Sequence, residues 1–426
     1  MATGTISWER HESPFWAIAG LLLRPLHLAL AFPSVLYVMA MTVFLFRPPD
    51  LFSFYIDRIA FAVLVFFVAL RAMALRETIP FFAGLSIPML GLTALAIFRV
   101  LREPFDPQAW SIIASKYIVP FSLFHIAVLV FRGPSQRRHF EIFVLVTLAY
   151  LVFTAIAFLM DARSLIFPRF ILDESLGFHP DRARGPFLQA VANGVSLNLL
   201  GVAALVFTTR PRRLVWVIWA VLPLAILATM TRAVWISFAL STFAIGCLLA
   251  RRRLLAICIV LVIVGLLCGL ALGFSDHSLR NALWDRTEER GPVQARVAVY
   301  GAAWGMFQER PFTGWPVDRM YQELARRMEG YHLHIYYVHN TYLALLVEFG
   351  LPGLALYAIL FLNLFRLSRR GFANECEPIA TLRKVWPVLL GVYLLNALFV
   401  DMAYQFVIGF LFTLAGMLCA PKESVA

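Results

Sequence analysis

Apolar runs long enough to cross a lipid bilayer recur along the whole of this chain. A helix needs about 20 such residues to span a hydrocarbon core of roughly 30 Å. Inside that core the backbone must satisfy its own hydrogen bonds, which leaves helices or closed barrels. Continuous runs favour helices, so the chain reads as an all-α polytopic membrane protein. About twelve transmembrane helices are expected, near 28–46, 51–70, 80–99, 110–131, 141–160, 187–207, 214–230, 234–250, 254–274, 340–365, 385–400 and 405–420. The segment 15–27, broken by Arg24 and Pro25, is expected to lie at the interface as a lead-in. Composition agrees, because 426 residues that are 61% hydrophobic and only 15% charged do not suit a soluble core. There is no repeat and no low-complexity tract, so 1–426 reads as a single membrane domain.

The formal charge is +12 and comes mostly from arginine. A nucleic-acid partner would need an exposed basic domain, and none is visible; the arginines sit in short gaps between apolar runs. One alternating set of gaps holds Arg71 and Arg76; Arg132, Arg137 and Arg138; Arg210, Arg212 and Arg213; Arg251 to Arg253; then Arg369, Arg370, Arg383 and Lys384. The positive-inside bias places this set in the cytoplasm, with both termini. The start shows no cleavable-signal pattern, so the first span is expected to stay attached. The opposite face then carries two long loops, 161–186 and 275–339. The second contains two amphipathic stretches, Val293 to Gln308 and Pro316 to Met328. Long loops in compact proteins are usually functional or disordered, so the working surface is expected on this outer face.

Several residues there exceed what packing requires. Arg232 stands in the very short outer turn Thr229-Met230-Thr231-Arg232-Ala233, on the face where arginine is disfavoured. Its planar fork suits phosphate oxygens and cannot lose its charge; snorkelling to headgroups is the plainer role. Arg184 precedes a span, and Arg296 opens the first amphipathic stretch. Three arginines at outer span ends point to a shared anionic ligand. His339, followed by Asn340, stands where the tenth span begins, and a reference pKa of about 6.5 suits a general base. His332, His334 and His339 lack zinc spacing, and no two of the five cysteines have metal-ligand spacing, so neither a metal nor a disulfide framework is expected. Glu348 lies inside the tenth span, where a carboxylate costs on the order of 3 kcal/mol and requires a partner. Gly350, Pro352 and Gly353 follow it and suggest a kink or close packing. Asp57, Arg58 and Lys116 also lie within apolar spans, as internal pairs or as the lining of a polar cleft. Phosphate loops, Asp-x-Asp pairs, His-Glu-x-x-His and Gly-x-Ser-x-Gly are missing, which argues against nucleotide chemistry in the cytoplasm.

The stretch His339-Asn340-Thr341-Tyr342-Leu343, continued by Glu348-Phe349-Gly350-Leu351-Pro352-Gly353, resembles the signature of the O-antigen ligase and polymerase superfamily. Arg184-Gly185-Pro186-Phe187 through Asn193-Gly194 is similar to its Arg-x-Gly-x-Phe…Asn segment. Thr231-Arg232-Ala233 is similar to its Ser/Thr-Arg turn, and Arg296 with Pro311-Phe312-Thr313-Gly314-Trp315 to its Arg…Pro-x-x-Gly segment. The resemblance covers roughly residues 180–365. Two departures are the Trp315-Pro316 pair, where a second glycine is common, and the lack of Asn-Pro-Asn around Asn193.

The resemblance implies a GT-C-like membrane glycosyltransferase of a bacterial inner membrane, independent of metal and without a cofactor. Its donor would be a glycan on undecaprenyl diphosphate at the periplasmic face. A ligase would pass it to a lipid A–core acceptor, a polymerase to another glycan repeat. His339 and Arg232 would be catalytic; Arg184, Arg232 and Arg296 would grip the diphosphate; Asn193, Asn340 and Glu348 would support them. The competing reading from another class is a lipid-linked glycan transporter. It expects broken helices in matching halves and charges at the midplane; here the candidates collect at one face. Cysteine labelling at positions 212 and 232 is expected to find them on opposite sides of the membrane, and labelling from one side at both would break this topology.

Overall fold

The structure, a computed structural model, describes residues 32–46, 56–102, 104–208, 212–249, 256, 290–328, 337–369, 371 and 375–420. Among these residues it is helical, with no strand. The helices are α1 (Pro33–Leu45), α2 (Ile56–Ala74), α3 (Ala83–Val100), α4 (Pro107–Val130), α5 (Pro134–Leu159), α6 (Ala190–Phe207), α7 (Arg212–Ala228) and α8 (Arg232–Leu248). Beyond them come α9 (Arg290–Glu309), α10 (Val317–Arg326), α11 (Thr341–Arg366), α12 (Glu377–Ala397) and α13 (Gln405–Cys419). Six helices, α3, α4, α5, α6, α11 and α12, are long and apolar enough to cross a membrane; α1, α7, α8 and α13 are shorter apolar helices. Each expected span other than 254–274 overlaps a described helix, and α2, over 51–70, is not among these ten. The span 254–274, apart from residue 256, and the lead-in 15–27 lie outside the described residues.

Helix edges differ where hydropathy is blind to helix starts. α5 begins at Pro134, ahead of its apolar run, because proline at the first helical position needs no amide partner. α12 likewise begins at Glu377-Pro378. The amphipathic stretches of the large loop are helices α9 and α10. Val299, Ala303 and Met306 of α9 pack with Met320 and Leu324 of α10 and with Ala344 and Val347 of α11 in a core of their own. Arg327 closes this hairpin, donating to both carboxylate oxygens of Glu309 at 2.6 and 2.8 Å.

α6 is apolar almost all round and is therefore central, with nearly every side chain buried. Lipid supplies no hydrophobic drive between helices, so close backbone approach and van der Waals contact must hold them. Gly194 of α6 lies against Val234 of α8, and Gly416 of α13 against the Phe124 carbonyl and the Ala127 side chain of α4. The glycine contacts also give direction. Gly409 meets Leu123 and Gly416 meets Phe124 and Ala127, so α4 and α13 run parallel. Gly84 meets Asn363 and Gly91 meets Leu356, so α3 and α11 run antiparallel. One end of the bundle therefore holds the Arg132–Glu77 pair and the cluster of Arg383 with Glu375. The other holds the 161–189 loop, the 229–231 turn, the α9–α10 hairpin and the 398–404 turn.

α11 breaks inside its span. Gly350 adopts φ 67° and ψ −161°, which interrupts the hydrogen-bond ladder. The Pro311–Trp315 segment supplies the missing partners: Leu351 N donates to Pro311 O at 2.7 Å, and Trp315 N donates to Val347 O at 2.7 Å. The kink expected from glycine and proline is thus a docking site for a segment of the large loop. A Cβ at Gly350 would collide with the Pro311 carbonyl. Gly350→Ala is expected to cost about 1–3 kcal/mol in backbone strain alone, plus the collision, and to lower the melting temperature in detergent. Gly301→Ala on α9, where nothing lies within 4 Å of a new Cβ, is expected to be neutral or slightly stabilising.

Candidate active site

His339 lies one residue before the Asn340 cap of α11. Asn340 Oδ1 accepts from Tyr342 N and Leu343 N, both at 3.0 Å, which satisfies two amides of the first turn. Asn340 therefore fixes where α11 starts. His339 itself is left-handed, at φ 51°, and its carbonyl accepts from the Tyr300 hydroxyl of α9 at 3.2 Å. A histidine in this conformation is uncommon, and such positions concentrate where function constrains the backbone. Its side chain keeps an exposed face, while crowding on the other sides strips hydration. Partial desolvation, then the positive charge of Arg296, and then His179 hold the imidazole below its ordinary pKa; Asp401 acts in the opposite sense. Arg296, exposed on α9, thus lies within electrostatic range of His339.

Arg232 is exposed at the first position of α8. Its turn is stiff: Met230 is left-handed at φ 49°, Thr229 Oγ1 donates to Ile226 O at 2.7 Å, and Thr231 Oγ1 donates to Thr229 O at 2.9 Å. One turn further along α8, Ser237 Oγ accepts from Asn396 Nδ2 of α12 at 2.9 Å. α12 ends directly at the 398–404 turn, so Arg232 and Asp401 belong to neighbouring helix ends on one face.

Arg184 is placed differently from the other arginines. Only 2% of it is exposed, and its guanidinium donates to the carbonyls of Ile171 (3.1 Å), Asp173 and Leu176. It ties the 161–189 loop to itself. Asn193 is fully buried and donates from Nδ2 to Ala183 O at 2.8 Å, which anchors the same loop to α6. Ala183 N in turn donates to Ala228 O at 3.0 Å, beside the Arg232 turn. Arg184 and Asn193 thus act on the loop that brings His179 to His339.

Glu348, buried in α11, has the partner its depth requires. Lys116 Nζ donates to Glu348 Oε1 at 3.1 Å and to Asp401 Oδ2 at 2.8 Å, and the Tyr117 hydroxyl reaches Glu348 Oε2 at 3.4 Å. A cavity of about 30 Å³, enough for about two waters, is lined by Lys116, Asp401, Thr341, Tyr357 and Tyr393 among others. Tyr321 of α10 packs on Tyr337 at 5.0 Å, and Phe178 meets Tyr337 edge-on at 6.2 Å. The hairpin, the 161–189 loop and the approach to His339 thus meet through aromatic rings. Sequence reading did not single out Asp401, His179, Tyr300 or Tyr321. The one available signal was the need of Lys116 for an acidic partner on the same face. Asp57 and Arg58 each have an interaction partner of their own. His332 and His334 lie outside the described residues, as do Arg210, Arg251 to Arg253 and Arg370. Among the described residues no three His, Cys, Asp or Glu side chains converge.

Lysine at position 184 cannot reach three carbonyls with a planar fork. Arg184→Lys is expected to cost about 1–3 kcal/mol for each carbonyl left unsatisfied. Hydrogen exchange would rise within 161–189 while the bundle stays protected. Unchanged protection of that loop would show that Arg184 is not its clamp.

No curated protein matches the chain. A family model described as O-antigen ligase matches residues 216–358, a stretch that includes Arg232, Arg296, His339 and Glu348. That match, over about a third of the chain, supports its likeness to the O-antigen ligase and polymerase superfamily.

Proposed function

We propose that this protein is an O-antigen ligase-like glycosyltransferase. It would move a glycan from undecaprenyl diphosphate to a lipid A–core acceptor at the periplasmic face of the inner membrane. Members of the superfamily are glycosyltransferase-like membrane enzymes, either ligases or polymerases. The observation that carries the reading is the contact of α9 with the start of α11, where Tyr300 bonds the His339 carbonyl at 3.2 Å and the charge of Arg296 acts on the imidazole.

Glycosyl transfer from a diphosphate has two electrostatic demands. The leaving group gains negative charge as the anomeric bond breaks, and the acceptor hydroxyl must lose its proton. Fixed guanidinium groups aimed at the developing charge meet the first demand without a metal. Arg232 and Arg296, both exposed, are assigned to it. Arg184, whose fork is already used by carbonyls, is assigned to shaping the site instead. A neutral imidazole meets the second demand. Crowding and Arg296 both favour the neutral form of His339.

Purified protein in chelator, given an undecaprenyl-diphosphate glycan and either lipid A–core or a second repeat unit, is expected to glycosylate lipid A–core. Product on the repeat unit alone would make it a polymerase, and product on neither would overturn the reading. Arg232→Lys is expected to slow transfer by roughly 10²–10³-fold, because the planar fork is lost. His339→Ala is expected to slow turnover by roughly 10²–10⁴-fold with donor affinity retained. Because His339 titrates below the ordinary histidine value, turnover is expected to fall only at pH below about 6.5. Arg296→Gln removes a charge that disfavours imidazolium, so turnover begins to fall at higher pH.

A further inference from the structure

Lys116 has no part in the transfer described above, yet it is among the most tightly held groups near the site. It lies on the π turn Ala114–Ile118 of α4 and is 8% exposed. Single π turns inside α-helices are frequent at functional sites. A buried lysine needs one carboxylate; this one has two, Glu348 and Asp401. Glu348 also lies within electrostatic range of Arg99 of α3. Glu348 is sealed, with 2% of its side chain exposed, whereas Asp401 retains 13% and is the more open carboxylate of the two.

A second set of bonds fixes Asp401 from the other side. Thr341 Oγ1 donates to Val400 O at 2.9 Å and accepts from Met402 N at 3.0 Å. The peptide groups on both sides of Asp401 are therefore stapled to the first residue of α11, two positions from His339. Among the described residues, the charged or titratable groups that act on the imidazole are Arg296 from α9, His179 from the 161–189 loop and Asp401 from the turn between α12 and α13. Of these three, Asp401 alone is an anion.

We propose that Lys116 is a positioning residue for glycosyl transfer: it fixes the Asp401 carboxylate beside His339, where that carboxylate steadies the imidazolium formed during the step. The inference rests on the reading of His339 as the base. In that step the acceptor O–H bond breaks and its proton passes to the imidazole. The acceptor oxygen bonds to the anomeric carbon, and the bond to the diphosphate breaks with its electron pair on the leaving oxygen. Positive charge appears on His339 as negative charge appears on the diphosphate. Arg296 favours the second change and opposes the first, because it stands beside both groups. A fixed anion near the imidazole offsets that conflict, and a mobile one would not be reliably placed. Glu348 then has the task of holding Lys116.

The test uses the full-length protein with the undecaprenyl-diphosphate glycan and whichever acceptor supports turnover. Lys116→Met, Lys116→Arg, Asp401→Asn and His339→Ala are compared by kcat, donor KM and the pH dependence of kcat. Asp401→Asn leaves Lys116 its bond to Glu348 and alters a turn, so it is expected to fold normally. Asp401→Asn and Lys116→Met are each expected to lower kcat by about 10–100-fold with donor KM nearly unchanged. In both, the acid limb of the pH profile moves to lower pH, because an anion that favours imidazolium is lost or displaced. Lys116→Arg, which keeps the charge and two donors, is expected to restore much of kcat and the limb. Unchanged kcat and limb in Asp401→Asn would overturn the proposal even if Lys116→Met failed to fold. A normal pH profile in a folded Lys116→Met would overturn it too, leaving the ion pair a packing element. Normal turnover in His339→Ala would instead remove the base itself, and with it the reading on which the inference rests.

Discussion

Much of the end of this protein that holds His339 is organised around one buried cation. Lys116 reaches across the bundle to Glu348 of α11 and Asp401 of the turn before α13, joining three segments far apart in sequence. Charges at this depth are expensive unless paired. Removing one partner of a buried pair costs about 3–5 kcal/mol, mainly because the other is left uncompensated. Such a cluster tolerates few alternative arrangements of its helices. It sets the height of α11 relative to α4 and, through Thr341, the place of the 398–404 turn. His339 inherits its position from both.

The arginines that look alike in sequence divide by environment. Arg232 and Arg296 present exposed guanidinium groups at helix positions on one face. Arg184 is buried against carbonyls that would otherwise lack partners. The chemistry that suits arginine to phosphate, a planar fork with several donors, also suits it to a cluster of backbone oxygens. Burial decides between the two uses, and the amino-acid order around Arg184 does not reveal it.

The helical class and the positions of most helices were legible because apolar runs and basic gaps are local signals. The hairpin helices were legible too, from amphipathic spacing within 293–308 and 316–328. The kink at Gly350 was legible as a kink, but its partner was not. Nothing local to Pro311–Trp315 says that its amide and carbonyl will complete a ladder in another helix. His339, Arg232 and Arg296 stood out because charge on the outer face is unexpected. Asp401 did not, because a single acid in a short turn is ordinary until Lys116 is seen opposite it. The residues that escaped sequence reading act through long-range contacts.

The graft of Pro311–Trp315 into the broken rung of α11 has a consequence for how such a chain can vary. Trp315 is pinned by its amide to Val347, by its indole Nε1 to Met306 O at 2.8 Å, and by its ring face to Arg310 at 4.1 Å and Arg327 at 5.1 Å. Leu351 is pinned to Pro311 four residues earlier in the same segment. With both ends of the segment in register with one helix, its length is fixed as firmly as the spacing of teeth on a gear. An insertion or deletion between Pro311 and Trp315 would shift the whole hairpin against α11 and drag Glu348 with it. Length changes in the large loop are therefore confined to segments that bypass this mesh, and the α9–α10 hairpin can be remodelled only around a clasp of constant size.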